Sequence, residues 1–287
     1  MSQILAKKDF KSWQAQLASE WDESKSGLRV CDGTGCRALG SRVVLDRLRK
    51  EVEQFNLPAP IEVVGTGCPG FCECGPLITV YPQRVSYQKI KPADVPEIIQ
   101  KTLIDGKIIE RLLYSDPETG EHIHYEPDLP FYRKQKRLVL DFNGRIDPTR
   151  IKDYVALGGY SSLNKALSSM SPEQVIRELK SSGLRGRGGA GFPTGLKWEI
   201  CRKFVKEKSN GYIICNADEG DPGAFMDRSI LEGNPHAVLE GMAIGAYAMG
   251  IHLGYIYIRA EYPLAVQNLR NAIEQAKHAE LLGNDIF

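Results

Sequence analysis

Two consecutive α/β units are predicted, on three observations. The 287 residues exceed one ordinary domain and suit two. Strand-like and helix-like periods alternate over residues 28–114 and again over 138–287. Between them, residues 115–137 keep no regular period and carry Pro117, Pro127 and Pro130, so they read as a linker. Residues 1–27 are expected to form a helical extension, because MSQILAKKDFKSWQAQL is amphipathic.

In the first unit GLRVCDGTGC reads as a strand entering a glycine-bearing loop. SRVVLDRLRKEVEQF has apolar residues at helical spacing. IEVVGTG is a short β-branched strand ended by Cys68-Pro69-Gly70, and LITVYP with RVSYQKI forms a hairpin. ADVPEIIQKTLIDGK closes the unit as a helix ending near Gly106. This order resembles the thioredoxin fold. In the second unit SPEQVIRELKSSG is a helix with Ser171 as N-cap, Pro172 at its first position and Gly183 past its end. TGLKWEICRKFVKE is the next helix and GYIICN a buried strand. PHAVLEGMAIGAYAM, LGYIYIRA and PLAVQNLRNAIEQAKHAE then alternate helix, strand and helix, which implies parallel strands. The sequence stops at Asn284-Asp285-Ile286-Phe287 without a closing element, so the second unit is expected to be incomplete.

A net charge of +1 gives no field that would steer the chain to nucleic acid or an anionic membrane. The short basic run Arg133-Lys134-Gln135-Lys136-Arg137 reads as solvated linker, and so do His122 and His124. No apolar run reaches the roughly 18 residues of a bilayer span, and no secretion signal opens the chain. A cytoplasmic protein is expected, and its seven cysteines are then not structural disulfides.

Four of those cysteines flank two glycine-bearing loops. Cys31 and Cys36 enclose Asp-Gly-Thr-Gly, and Cys68 and Cys72 enclose Pro-Gly-Phe. Loops that follow neighbouring strands bring four thiolates to one place, and that soft donor set suits zinc or a [2Fe–2S] cluster. Glycine frees backbone N–H groups to stabilise a cluster's negative charge. Cys74 is an alternative to Cys72, whereas Cys201 and Cys215 read as buried thiols without a redox role.

The second unit carries a glycine-rich stretch, Gly183-Leu184-Arg185-Gly186-Arg187-Gly188-Gly189-Ala190-Gly191-Phe192-Pro193-Thr194-Gly195-Leu196-Lys197-Trp198, between two helices. Freed amides, a helix N-terminus and the cations Arg187 and Lys197 suit a phosphate-bearing ligand. The stretch is neither a P-loop nor a strand-fed dinucleotide loop, so its residues alone point only to nucleotide binding. The acidic stretch Cys215-Asn216-Ala217-Asp218-Glu219-Gly220-Asp221-Pro222-Gly223-Ala224-Phe225 follows a strand, where ligands of α/β sheets collect. Its carboxylates and amide suit flavin hydroxyls or a ring edge better than a metal, because no histidine is near.

C-x4-C followed by C-x3-C on this fold resembles the thioredoxin-like [2Fe–2S] ferredoxins. That domain also occurs in the 24-kDa-type subunit of complex I and in front of hydrogenase diaphorase subunits. Both loops of the second unit, with Asp227-Arg228-Ser229, Asn234-Pro235-His236 and Gly254–Tyr262, resemble the FMN- and NADH-binding subunit of complex I and the diaphorase subunits of NAD(P)-linked hydrogenases. The resemblance implies that Cys31, Cys36, Cys68 and Cys72 hold a [2Fe–2S] cluster. It implies that Gly186, Arg187, Gly188, Gly189 and Lys197 hold FMN and its phosphate, and that Asn216, Asp218 and Glu219 contact the flavin. Phe192 would stack on the adenine of NAD(H), and Asp221 would sit near the nicotinamide. No residue is assigned an acid–base role, and His236 is expected to cap a helix.

The family continues with a Gly-Glu-Glu-Thr-type segment, a β-rich part and a helical part with a [4Fe–4S] site, none of which lies in this sequence. The activity implied is NAD(P)H oxidation through FMN. Electrons would pass to iron–sulfur clusters of a multisubunit partner of hydrogenase, formate dehydrogenase or complex I type. The alternative is a [2Fe–2S] carrier whose second half only docks.

Overall fold

The computed structural model describes residues 10–284 and 286, except 56, 58, 209 and 210. The first nine residues of the amphipathic start and part of the last four lie outside them. The chain divides into two compact units. One holds Glu20–Asp153 together with Ser229–Asn234; the other holds Tyr154–Arg228, Pro235 onward and the described residues up to Ser19. Among the described residues no helix is long and apolar enough to cross a membrane.

Helix α1 (Phe10–Glu20) buries Leu17. Its Gln14 amide donates to the hydroxyl of Ser161 at 2.7 Å. In the Glu20–Asp153 unit β1 (Gly27–Cys31) leads into α2 (Thr34–Ala38) and α3 (Ser41–Gln54), and β2 (Glu62–Thr66) follows. Strands β3 (Ile78–Tyr81) and β4 (Val85–Tyr87) form the expected hairpin. The sheet order is β2-β1-β3-β4, with β1 parallel to β2 and antiparallel to β3. Helix α3 presents Val44, Leu45 and Leu48 to Leu28, Val30, Ile78 and Val80 of the sheet. Spacing of one, three and four residues puts those side chains on one helix face. The closing helix begins as α4 (Val95–Glu97) and runs on as a π-helix over Ile98–Ile104.

Residues 115–137 are more ordered than a linker. The hairpin of β5 (Tyr114–Ser115) and β6 (His122–Ile123) and helix α5 (Pro130–Arg133) lie here. The prolines remove any regular period, yet Leu129 and Tyr132 are buried and the Phe131 ring stacks on Phe71 at 4.7 Å. Arg137, the last of the basic run, lies over the Tyr132 ring and donates to the Pro69 carbonyl at 3.3 Å. His122 and His124 are exposed beside Glu110. Residues up to Asp153, expected in the second unit, belong to the first. Arg145 pairs with Glu23 and Arg150 with Glu62, and Ile146 is buried.

The other unit contains α6 (Ile151–Ala156, shared at its start with the first unit), α7 (Ser161–Ser169), α8 (Pro172–Ser181), α9 (Thr194–Lys208) and β7 (Tyr212–Ala217). It continues with α10 (Met226–Gly233, whose end belongs to the first unit), α11 (Pro235–Met249), β8 (Leu253–Ile258) and α12 (Pro263–His278). Ser171 caps α8 with a capping box to Gln174, and Gly183 takes φ +67° just past its end. That left-handed geometry favours glycine. β7 and β8 pair in parallel from Tyr212↔Leu253 to Ala217↔Ile258.

Helix α11 lies at the centre, in contact with α7, α8, α9, α12 and both strands. β7 is not the buried strand that its apolar run suggests. Alternate side chains face opposite ways. α11 covers one face, while Tyr212 and Ile214 on the other stay 59% and 64% exposed.

Candidate cofactor sites

Strands β1 and β2 are parallel neighbours with Cys31 opposite Thr66, so the loops that follow them emerge side by side. Cys36 rides on α2, and Cys72 opens a 3-10 turn that ends at Cys74. The sulfurs of Cys68 and Cys72 stand 3.2 Å apart. The Cys31 thiol shares hydrogen bonds with Cys36 and Cys68; those bonds and its burial raise its pKa well above the usual thiol value. The bond from Cys31 lowers that of Cys36. The Gly70 amide donates to the Cys68 sulfur at 3.3 Å.

Two glycines are required by contact. A Cβ on Gly75 would stand 2.7 Å from the Cys36 sulfur, and one on Gly33 would stand 2.9 Å from Cys68 Cβ. Among the described residues no three of these side chains enclose a single-ion point, so the fit rests on the pairwise thiol contacts. Four buried or half-buried thiols, two from each loop, with an amide aimed at one sulfur, match in kind and number the donors that a [2Fe–2S] cluster takes. Cys74 stands apart. Burial and the nearby Glu73 raise its thiol, with no other cysteine among the causes.

Several residues around the thiols carry no sequence signal. Phe71, Leu129 and Tyr132 are buried with them. Thr34, between Cys31 and Cys36, is bonded to Glu232, which is 198 residues away. Asn143 donates to the Cys68 carbonyl at 2.9 Å and to the Ser229 carbonyl at 3.0 Å.

The glycine-rich loop stands at the start of α9. Its hydrogen bonds are internal: the Gly186 amide donates to the Phe192 carbonyl, the Thr194 amide to Leu184, and the Arg185 guanidinium to Gly191. A Cβ would meet open space at Gly188, Gly189 and Gly191, so the loop is free of packing on that side. Arg187, Phe192 and Lys197 are exposed. At Gly195, by contrast, a Cβ would press on the Lys180 backbone at 2.7 Å, and this glycine lets α9 approach α8.

The acidic loop follows β7. Asn216, Asp218 and Asp221 are exposed. Glu219 is engaged: its carboxylate accepts the Asp227 and Arg228 amides at 3.0 and 3.2 Å and the Tyr262 hydroxyl at 3.2 Å, while Arg259 holds its carbonyl. A carboxylate at a helix N-terminus satisfies unpaired amides and meets the helix dipole. Both loops thus offer polar groups to solvent from fixed supports, as a phosphate-bearing ligand with polar hydroxyls requires. Cys201 and Cys215, expected to be buried, are half-buried.

His236 does not cap α11. It is buried in the core, where its Nδ1 takes part in a 2.9 Å hydrogen bond with the Tyr160 hydroxyl and its Nε2 in a 3.2 Å bond with Gln275. Burial pulls its pKa from 6.5 down to about 4. The unfolded chain therefore takes up a proton that the folded chain refuses. The stabilisation is complete above pH 6.5 and is lost as pH falls through about 4, in total roughly 3 kcal/mol. Urea midpoints measured at pH 7.5 and 4.5 will differ by more in the parent than in His236→Gln; equal differences would refute this.

Residues 19–103 match the thioredoxin-like [2Fe–2S] ferredoxin family, and residues 179–286 match the Nuo51 FMN-binding domain. The NADP-reducing hydrogenase subunit HndC of Solidesulfovibrio fructosivorans is 54% identical over 155 residues, which are 54% of this chain and 31% of that protein. The F subunit of the NADH-quinone oxidoreductase of Aquifex aeolicus is 52% identical over 137 residues, 48% of this chain and 31% of that protein. The NAD-reducing hydrogenase HoxS subunit alpha of Cupriavidus necator is 31% identical over 266 residues, 91% of this chain and 41% of that protein. The chain therefore spans about a third of the first two relatives and about two fifths of the third. In chain order, a stretch similar to the thioredoxin-like [2Fe–2S] ferredoxins is followed by one similar to the Nuo51 FMN-binding domain.

Proposed function

We propose that the chain is the electron-input part of a cytoplasmic, multisubunit oxidoreductase that oxidises NAD(P)H. The observation that carries this reading is the presence, in one chain, of a four-thiol cluster site and an FMN-type glycine loop with its acidic partner loop. FMN, when bound, supplies the conversion of a two-electron hydride donor into single electrons for iron–sulfur acceptors.

The chain's own residues bind and orient. Gly188 and Gly189 offer backbone amides to the FMN phosphate, Gly186 shapes their loop through its own bond to the Phe192 carbonyl, and Arg187 and Lys197 meet the phosphate's charge. Asn216 and Asp218 reach the flavin from the end of β7, and Glu219 contacts it from a carboxylate that already holds the start of α10. Phe192, half exposed, stacks on adenine, and Asp221 lies near the nicotinamide. Cys31, Cys36, Cys68 and Cys72 ligate the cluster. The partner is a catalytic subunit of hydrogenase, formate dehydrogenase or complex I type.

An absorption spectrum of the anaerobic chain, before and after NADH, tests this. Cluster bands and a flavin peak that bleaches are expected. Lys197→Ala is expected to lose at least tenfold in FMN affinity, since one charge-assisted phosphate contact contributes about 1.5–3 kcal/mol. Cluster bands without flavin in the parent would favour a ferredoxin module that docks through its second half.

A further inference from the structure

We propose that Asn143 is a positioning residue of the [2Fe–2S] site, whose side-chain amide holds the Cys68–Cys72 loop in the form that presents the Cys68 sulfur to the cluster. The inference rests on the cysteine assignment above. Asn143 is 2% exposed. Its Nδ2 donates to the Cys68 carbonyl at 2.9 Å and to the Ser229 carbonyl at 3.0 Å. Two carbonyl oxygens on one side fix which way the amide points, because only its NH2 end can donate to both. Its Oδ1 is buried without a hydrogen-bond partner. The side chain therefore acts in this core through its donor end.

Packing confines the amide to that position. A Cβ on Gly67 would stand 3.2 Å from the Asn143 Cγ, and one on Gly233 would stand 2.4 Å from its Oδ1. The two glycines also touch each other, since the Cβ on Gly67 would stand 2.2 Å from the Gly233 Cα. This meeting point lies immediately before Cys68. The peptide that joins Cys68 to Pro69 is planar, and the proline ring fixes the next dihedral. A hold on the Cys68 carbonyl thus orients Cys68 and the start of its loop together. The next carbonyl, that of Pro69, accepts Arg137 at 3.3 Å. Beyond it the Gly70 amide donates to the Cys68 sulfur, which stands 3.2 Å from that of Cys72.

Asn143 and Ser229 both lie outside residues 19–103, the stretch that matches the ferredoxin family, and Ser229 lies within the FMN-binding match. The cluster loop of this chain is therefore braced from segments beyond its own domain sequence. Asn143 carries no charge, so its action on the cluster is geometric. Groups that orient metal ligands typically change metal affinity about 10–100-fold when they are removed.

The test compares the full chain with Asn143→Ala and Asn143→Ser. It reads the electron paramagnetic resonance of the dithionite-reduced cluster and the rate of iron release to a chelator. Asn143→Ala is expected to shift the g values and to release iron at least about tenfold faster. Asn143→Ser keeps one hydroxyl donor and is expected to fall between it and the parent. An Asn143→Ala chain with parental circular dichroism but no cluster would support the positioning role. A loaded Asn143→Ala with the parent's g values and release rate overturns the proposal, even where its urea midpoint has fallen. Should Asn143→Ala not fold, Asn143→Ser decides on the same two readouts. A parent without a [2Fe–2S] signal overturns instead the cysteine assignment.

Discussion

Alanine at Cys36 or at Cys72 will strip the purified chain of nearly all its iron, sulfide and visible cluster absorption, while alanine at Cys74 will leave them in place. The three residues pack in one cluster of the fold. Cys36 shares a hydrogen bond with Cys31, and the Cys72 sulfur is 3.2 Å from that of Cys68. Four thiolates are the full ligand count of a [2Fe–2S] cluster, so removing one leaves an iron open to water and the cluster labile.

Cys74 contributes through its backbone, because its carbonyl accepts the Lys89 amide at 2.9 Å. Alanine keeps that bond and costs only the packing of one sulfur, on the order of 1 kcal/mol. Iron and acid-labile sulfide counts on the three variants read the outcome directly. A cluster that survives at Cys72→Ala and disappears at Cys74→Ala would move the fourth ligand to position 74.

The cysteine site was legible because its information is local. Two short cysteine spacings, each following a β-branched strand, locate the thiols, and the parallel pairing of β1 with β2 does the rest. Helices α3, α8, α9 and α12 were legible for the same reason: each period lies within one segment, and α8 adds a cap and a breaker. What surrounds the thiols was not. Glu232 and Asn143 sit in unremarkable local sequence and acquire a role only from partners far along the chain. The 115–137 stretch misled because prolines and a charge run look like solvent-facing linker. Its aromatic residues fold onto Phe71, and no period announces that. GYIICN misled in the opposite sense. An apolar run implies burial on both faces, yet β7 is covered by α11 on one face only. His236, adjacent to a proline at a helix start, looked like a cap and is a core residue.

The core that contains His236 also contains the carboxylate whose loss will cost most. Glu240, one turn along α11, is 7% exposed. It accepts the Tyr154 hydroxyl at 2.6 Å, the Tyr160 amide at 2.8 Å and the Leu163 amide at 3.0 Å. Two of those donors lie at the start of α7, so a single carboxylate acts as the N-terminal cap of one helix from the interior of another. Burial, together with Glu240, drives the pKa of both Tyr154 and Tyr160 upward, as expected of phenols that keep their protons beside a buried anion.

Glu240→Ala leaves three buried donors without an acceptor. A stranded donor costs about 1–3 kcal/mol, and the loss is expected to total on the order of 3–5 kcal/mol. That is a large share of the roughly 5–15 kcal/mol that holds a domain together. Tyr154→Phe removes one donor and leaves the other two satisfied, so about 1 kcal/mol is expected from it. Urea denaturation followed by Trp198 fluorescence, in a background with Trp13 and Trp21 changed to Phe, reports on this unit, because that indole packs against Gly245 of α11. If Glu240→Ala unfolded no more easily than Tyr154→Phe, the two amides would have to be satisfied by solvent. The buried carboxylate would then be a passenger in the core, with no part in holding α7 against α11.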